Sequence, residues 1–177
     1  MLPTVEQLES WAGRGCVARA NETDVALWRI PQSEKAALIF SGVPLLGGIV
    51  EEVSFHAASS MYRLAFESNG GSAHTAWEYG AVPGTGEVRL WRSDGRGGSS
   101  FVNSSISQWL CALHLVGTCF AESAALGRYD ESVEAEDQAV AELADLLRRI
   151  EAIDPAAIAD GDHERQFWPA VLDRWLF

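Results

Sequence analysis

Lysine is almost missing from this sequence: Lys35 stands alone against twelve arginines in 177 residues. With 25 acids against 13 bases, the net charge is −12. Surfaces that bind nucleic acid or anionic lipid use clustered Lys and Arg to neutralise phosphate, so neither is expected as a direct partner. Apolar runs are short as well, and none approaches the roughly 18 residues of a membrane-spanning helix. The opening MLPTVEQLESW has neither the basic start nor the apolar core of a secretory leader, which leaves a cytoplasmic location as the expectation. The three cysteines, Cys16, Cys111 and Cys119, are odd in number and sit mostly in apolar contexts, as reduced, buried thiols do.

Recognisable catalytic motifs are missing too. There is no G-x-S-x-G, no G-x-x-x-x-G-K-[ST] and no dinucleotide fingerprint. Cys111, His114 and Cys119 fall within one predicted helix and lack the loop spacing of a zinc site. His56 and His74 have no ligand partners near them in sequence. Glu51 and Glu52 are adjacent, so on a strand they point to opposite faces and do not form a catalytic pair. No catalytic residue, metal or cofactor is expected.

What is present has a clear organisation. Thr4-Val5-Glu6-Gln7 reads as a capping box for a short first helix ending near Gly13. VALWRIP (25–31) reads as extended, stopped by Pro31. Ser33 then caps a helix through EKAALIF, closed by Gly42. GIVEEVSF, MYRLAFE, AHTAWEY and EVRLW are short runs with the β-branched and aromatic alternation of strands. Tyr62, Leu64 and Phe66 fall on one face. The intervening turns, SNGGS at 68–72, PGTG at 83–86 and SDGRGGSS at 93–100, are too short for parallel crossovers. From 106 onward the period is helical. Ile106, Trp109, Leu110, Leu113, Gly117 and Phe120 share one face and Cys111, Leu115 and Cys119 the other, as in a central buried helix. Val133, Val140, Leu143, Leu147 and Ile150 form the apolar stripe of a second long helix, and Pro169 suits the first turn of a last one. The reading is one α+β domain over residues 1–177, mainly an antiparallel sheet of about four to six strands with short N-terminal helices and C-terminal helices around it.

FVNSSISQWLCALHLVG (101–117) sets the functional question. Asn103, Ser104 and Ser105 stand before the buried helix, where serines serve as a nucleophile, an anion cradle or a cap. His114 lies about two turns inside the same helix, out of reach of Ser104 and Ser105. No lysine accompanies the helix start. Ser105-Ile106-Ser107-Gln108 fits a capping box, with Asn103 and Ser104 as near-equivalent caps. Binding is the better theme. Charge is uneven: residues 1–121 hold 11 acids and 8 bases (net −3), residues 122–177 hold 14 and 5 (net −9). Such a surface steers a basic protein partner. Among seven tryptophans, Trp91 breaks alternation beside the 93–100 loop, and Trp77 adjoins Glu78 and Tyr79. Glu51, Glu52, Trp77, Glu78 and Trp91 are therefore the candidate partner contacts.

Taken in order, Ser41-Gly42-Val43-Pro44, Thr85-Gly86-Glu87-Val88, Phe101-Val102-Asn103-Ser104-Ser105, Asp154-Pro155 and Phe167-Trp168-Pro169 resemble the SUKH superfamily, its fourth group in particular. They span most of the chain after its first thirty residues. The resemblance implies an antiparallel sheet flanked by helices, in agreement with the pattern above. It also implies a non-enzymatic immunity protein that binds and blocks a bacterial toxin domain, often a nuclease or deaminase, and no shared catalytic residues. An intracellular adaptor built on the same fold is the alternative it leaves open.

Overall fold

A computed structural model describes all residues except 59, 69–74, 93–97, 159–165 and 175–177. Helix α1 (Val5–Ala12) starts with the expected capping box. Thr4 N–H donates to Gln7 Oε1 at 2.9 Å, and Gln7 N–H to Thr4 Oγ1 at 3.3 Å. Strands β1 (Val17–Ala18) and β2 (Val43–Pro44) pair antiparallel in a small ribbon that the sequence pattern did not signal. Between them lie α2 (Glu22–Val25) and α3 (Gln32–Phe40).

Two local expectations are corrected there. Val25 ends a helical turn instead of opening an extended run, and Trp28 N–H closes back on Val25 O at 3.0 Å. Asn21 and Asp24 cap that turn reciprocally, a signal that lay just ahead of VALWRIP. Trp28 then stacks on Tyr62 at 4.7 Å, so burial of the indole sets the local path. Helix α3 begins one residue after Pro31, which occupies the cap position, and Ser33 lies inside the first turn.

Strands β3 (Glu52–Ala57), β4 (Tyr62–Ser68), β5 (Thr75–Ala81), β6 (Val88–Arg92) and β7 (Ser99–Asn103) form an antiparallel meander in that order. Ser99 and Ser100, expected in a loop, are the first residues of β7. The SNGGS turn beyond Ser68, His74 and residues 93–97 of the glycine-rich loop lie outside the described residues. One face of the sheet carries Tyr62, Ala65, Tyr79, Val88 and Leu90 into the core. A bulge between Arg63 and Ala65 adds Leu64 as an extra residue. Because side chains alternate with period two, that insertion moves Phe66 to the opposite face from Tyr62, correcting the expected Tyr62–Leu64–Phe66 row.

Helix α4 (Ile106–Glu122) is the central helix. Trp109 lies at 5.3 Å from Tyr79 of the sheet, and Trp11 of α1 donates to His114 at 3.0 Å on another side. Seven of its residues, Ile106, Trp109, Leu110, Ala112, Leu113, Val116 and Gly117, are buried, while Cys111, Leu115 and Cys119 are only half-buried. Helix α5 (Val133–Ile153) packs on α4 through Ala139, Leu143, Leu146 and Ile150. Val133 and Val140, expected in that stripe, are instead 68% and 48% exposed. They sit roughly a quarter turn from the buried row, because at about 100° per residue Val133 and Val140 point about 90–110° away from the centre of Ala139, Leu143, Leu146 and Ile150. After a 3₁₀ turn (Pro155–Ile158), α6 (Phe167–Asp173) seats Phe167 and Trp168 in the core, with Pro169 in its first turn. Each buried Leu or Ile of this interior contributes roughly 1.5–3 kcal/mol. Among the described residues, no helix is long and apolar enough to cross a membrane.

Candidate functional site

The three residues before α4 have three different tasks. Ser105 is the cap: its backbone is extended, and its Oγ accepts from Gln108 N–H at 3.1 Å. The reciprocal half of the expected box is replaced: Gln108 Oε1 accepts from the Ser105 hydroxyl at 3.0 Å in place of its N–H, and Gln108 Nε2 donates to Ile153 O at 3.0 Å. Asn103 and Ser104 are not alternative caps. Ser104 donates its N–H to Asp154 Oδ2 at 2.7 Å and its hydroxyl to Asp154 Oδ1 at 2.8 Å. Asn103, fully buried, donates to the same Oδ2 at 3.0 Å and accepts from Trp168 Nε1 at 3.1 Å. A second carboxylate, Glu34 of α3, accepts from Ser107 N–H at 2.8 Å and Ser107 Oγ at 3.1 Å.

Asp154 is 1% exposed and Glu34 7%, and among the described residues neither meets an arginine or lysine. Their charge is balanced by neutral donors and by the positive end of the α4 dipole. All these donors belong to the chain itself. The arrangement ties β7, α3, α4, the end of α5 and α6 into one buried polar joint.

Other reactive groups lie apart from it. His114 accepts from Trp11, and its basicity is lowered chiefly by burial, then by Arg149. Burial pushes the Cys111 and Cys119 thiols up, which disfavours the nucleophilic thiolate. Among the described residues, no three His, Cys, Asp or Glu side chains are grouped to hold a metal. A groove of about 610 Å³ between α4 and α5 is lined by Cys119, Glu122, Glu142, Asp145 and Arg149.

The five sequence-derived partner contacts separate in space. Glu78 pairs with Trp91 across β5 and β6, and Phe66 and Glu52 continue the same row through β4 and β3. This row lies on the sheet face away from Tyr79 and α4. Trp77 points to the other face, edge-on to Tyr79 at 5.0 Å and packed against the core. Glu51 precedes β3 and accepts from Gly48 N–H in a turn. Glu52, Glu78 and Trp91 thus come together, and Trp77 and Glu51 do not join them. The outer face also holds residues that the sequence reading missed. Arg63 bonds Glu78 at 2.7 Å with its guanidinium 5.3 Å from the Phe66 ring. Arg89 bonds Glu87 at 2.6 Å and Ser99 at 2.9 Å. The bulge hid this group, because only after Leu64 is counted as extra do Arg63 and Phe66 share a face.

With the joint and the sheet described, the motif order can be set against known families. A family model described as SUKH-4 immunity protein matches residues 3–174. The chain belongs to the SUKH-4 immunity protein family. No curated protein and no solved structure matches it. The family match includes the first thirty residues, where no motif had announced it. The SUKH-4 motifs of this chain now have physical positions. Gly42 has φ +78°, and a Cβ there would stand 2.7 Å from Ala18 O of the small ribbon. Gly86, also at φ +78°, lets the β5–β6 turn approach Glu34, whose Cγ would lie 3.2 Å from an added Cβ. The N-S-S, D-P and F-W-P motifs meet directly through Asn103, Ser104, Asp154 and Trp168. They hold the fold together.

Proposed function

We propose that this SUKH-4 family member is a non-catalytic immunity protein that binds a toxin domain in the cytoplasm and blocks it. The observation that carries this reading is the match of the SUKH-4 immunity model to residues 3–174. Two physical points support it. The serines and acids at the start of α4 are engaged with one another in structural hydrogen bonds. The net charge of −12 suits a basic partner, and toxins that act on nucleic acid present cationic surfaces to phosphate. An acidic protein seated on such a surface keeps the substrate away by occupying its place.

Co-expression with the toxin domain encoded beside this chain tests the proposal. Restored growth together with a purified complex is the expected result. Failure both to rescue and to bind contradicts it, and capture of a housekeeping protein in place of a toxin points to an adaptor of the same fold.

A further inference from the structure

The outer face of α5 combines two features that core packing does not require. Val133 and Val140 are 68% and 48% exposed, and Asp137 and the exposed Ala144 complete the same stripe along this 21-residue helix. Valine at an exposed helical position brings neither burial nor favourable helix propensity. Around the stripe, residues 129–147 hold seven acids, Asp130, Glu131, Glu134, Glu136, Asp137, Glu142 and Asp145, and no base. The first five are exposed and have no ion pair among the described residues, whereas Glu142 accepts from Ser123 and Gln138 and Asp145 pairs with Arg148 at 2.9 Å. The helix dipole favours the acids around the first turn, Asp130, Glu131, Glu134 and Glu136, and reaches Asp137 in the second turn less. On the sheet's outer face, by contrast, Glu78 and Glu87 are each matched by an arginine.

Resting on the toxin-binding reading above, we propose that the α5 stripe of Val133, Asp137, Val140 and Ala144, beside the unpaired carboxylates of residues 130–137, is where the toxin's basic surface docks. Charge complementarity selects this occupant. Two copies of this chain meeting there would bring like carboxylates together, whereas a cationic partner with an apolar spot satisfies both the charge and the valines.

The test uses the full chain and the adjacent toxin domain, made inactive by substitution. Val133→Arg with Val140→Arg places cations against the partner at exposed positions, where arginine is a good helix former. This variant is expected to melt like the wild type yet bind at least about a hundredfold more weakly, while Leu27→Arg, an equally exposed position outside α5, binds within about twofold of the wild type. Wild-type binding by the double arginine variant overturns the proposal and leaves the immunity reading standing. So does an equal loss of binding by Leu27→Arg, or a wild-type dimer that Val140→Arg dissociates. A wild-type chain that neither rescues growth nor binds overturns the immunity reading itself, and this surface with it.

Discussion

At the start of α4, Asp154 and Glu34 are buried, and their hydrogen bonds come from neutral donors of the chain itself. Along the outer face of α5, Glu134, Glu136 and Asp137 project outward with no ion partner among the described residues. The same side-chain chemistry has opposite consequences in the two places. A buried carboxylate that accepts several bonds is expensive to remove, because each donor it leaves behind is stranded away from water. An exposed and unpaired carboxylate contributes little to folding, and its field extends about 8–10 Å through saline solution towards an approaching partner. Residues with many internal partners therefore hold this fold, and residues with none are free to recognise something else. The motifs of the SUKH-4 family belong to the first group.

Substitutions can break this contrast or sharpen it. Asp154→Ala strands Asn103 Nδ2 and the Ser104 amide and frees a hydroxyl, and should lower stability by about 3–5 kcal/mol in denaturant unfolding. Glu34→Ala removes two bonds from Ser107, with an expected loss of about 1.5–3 kcal/mol in the same measurement. Ser105→Ala removes the cap of α4 and should cost about 1 kcal/mol. All three variants, where folded, should bind the toxin domain as the wild type does. Binding lost in a folded Ser105→Ala or Glu34→Ala variant would break the contrast from the interior side.

A smaller effect concerns pH. Burial lowers the basicity of His114, so below about pH 6.5 the unfolded chain takes up a proton more readily than the folded one. Stability should then fall as pH drops from about 6.5 towards the depressed folded value, and be unaffected by this group above that range. His114→Gln keeps an acceptor for Trp11 and should flatten that part of the stability–pH curve. An unchanged slope would show that the imidazole is not its source. Glu134→Gln, Glu136→Gln and Asp137→Asn together should cost no more than about 1 kcal/mol by thermal melting, because the dipole interaction lost at the first two is offset by relieved repulsion among the acids.

Much of the fold was legible because it rests on local signals. The Thr4 capping box, four strand runs, the central helix and the Ser105 cap are each encoded within a few residues of where they act. The errors have equally local causes. A single extra residue at Leu64 reversed the facing of Phe66, and in α5 Val133 and Val140 were merged with a core row from which they point about a quarter turn away. The joint at α4 was illegible for a different reason. Asn103 meets Asp154 across 51 residues and Trp168 across 65, and no spacing rule links such distant positions. Resemblance identified the pieces, and only the fold shows that they touch. The candidate contacts divided along similar lines. Glu52, Glu78 and Trp91 were grouped on one face by register, while the arginines that neutralise that face came to light only with the bulge.

The most direct test of the central claim is the association rate of the full chain with the inactivated toxin domain as ionic strength rises. For the wild type the rate should fall steeply between low and physiological salt. The Glu134→Gln/Glu136→Gln/Asp137→Asn variant should associate about tenfold or more slowly at low salt, with a flatter dependence, and approach the wild type at high salt. Superimposable curves for the two proteins would contradict the claim that the unpaired acids of α5 guide the partner to this surface.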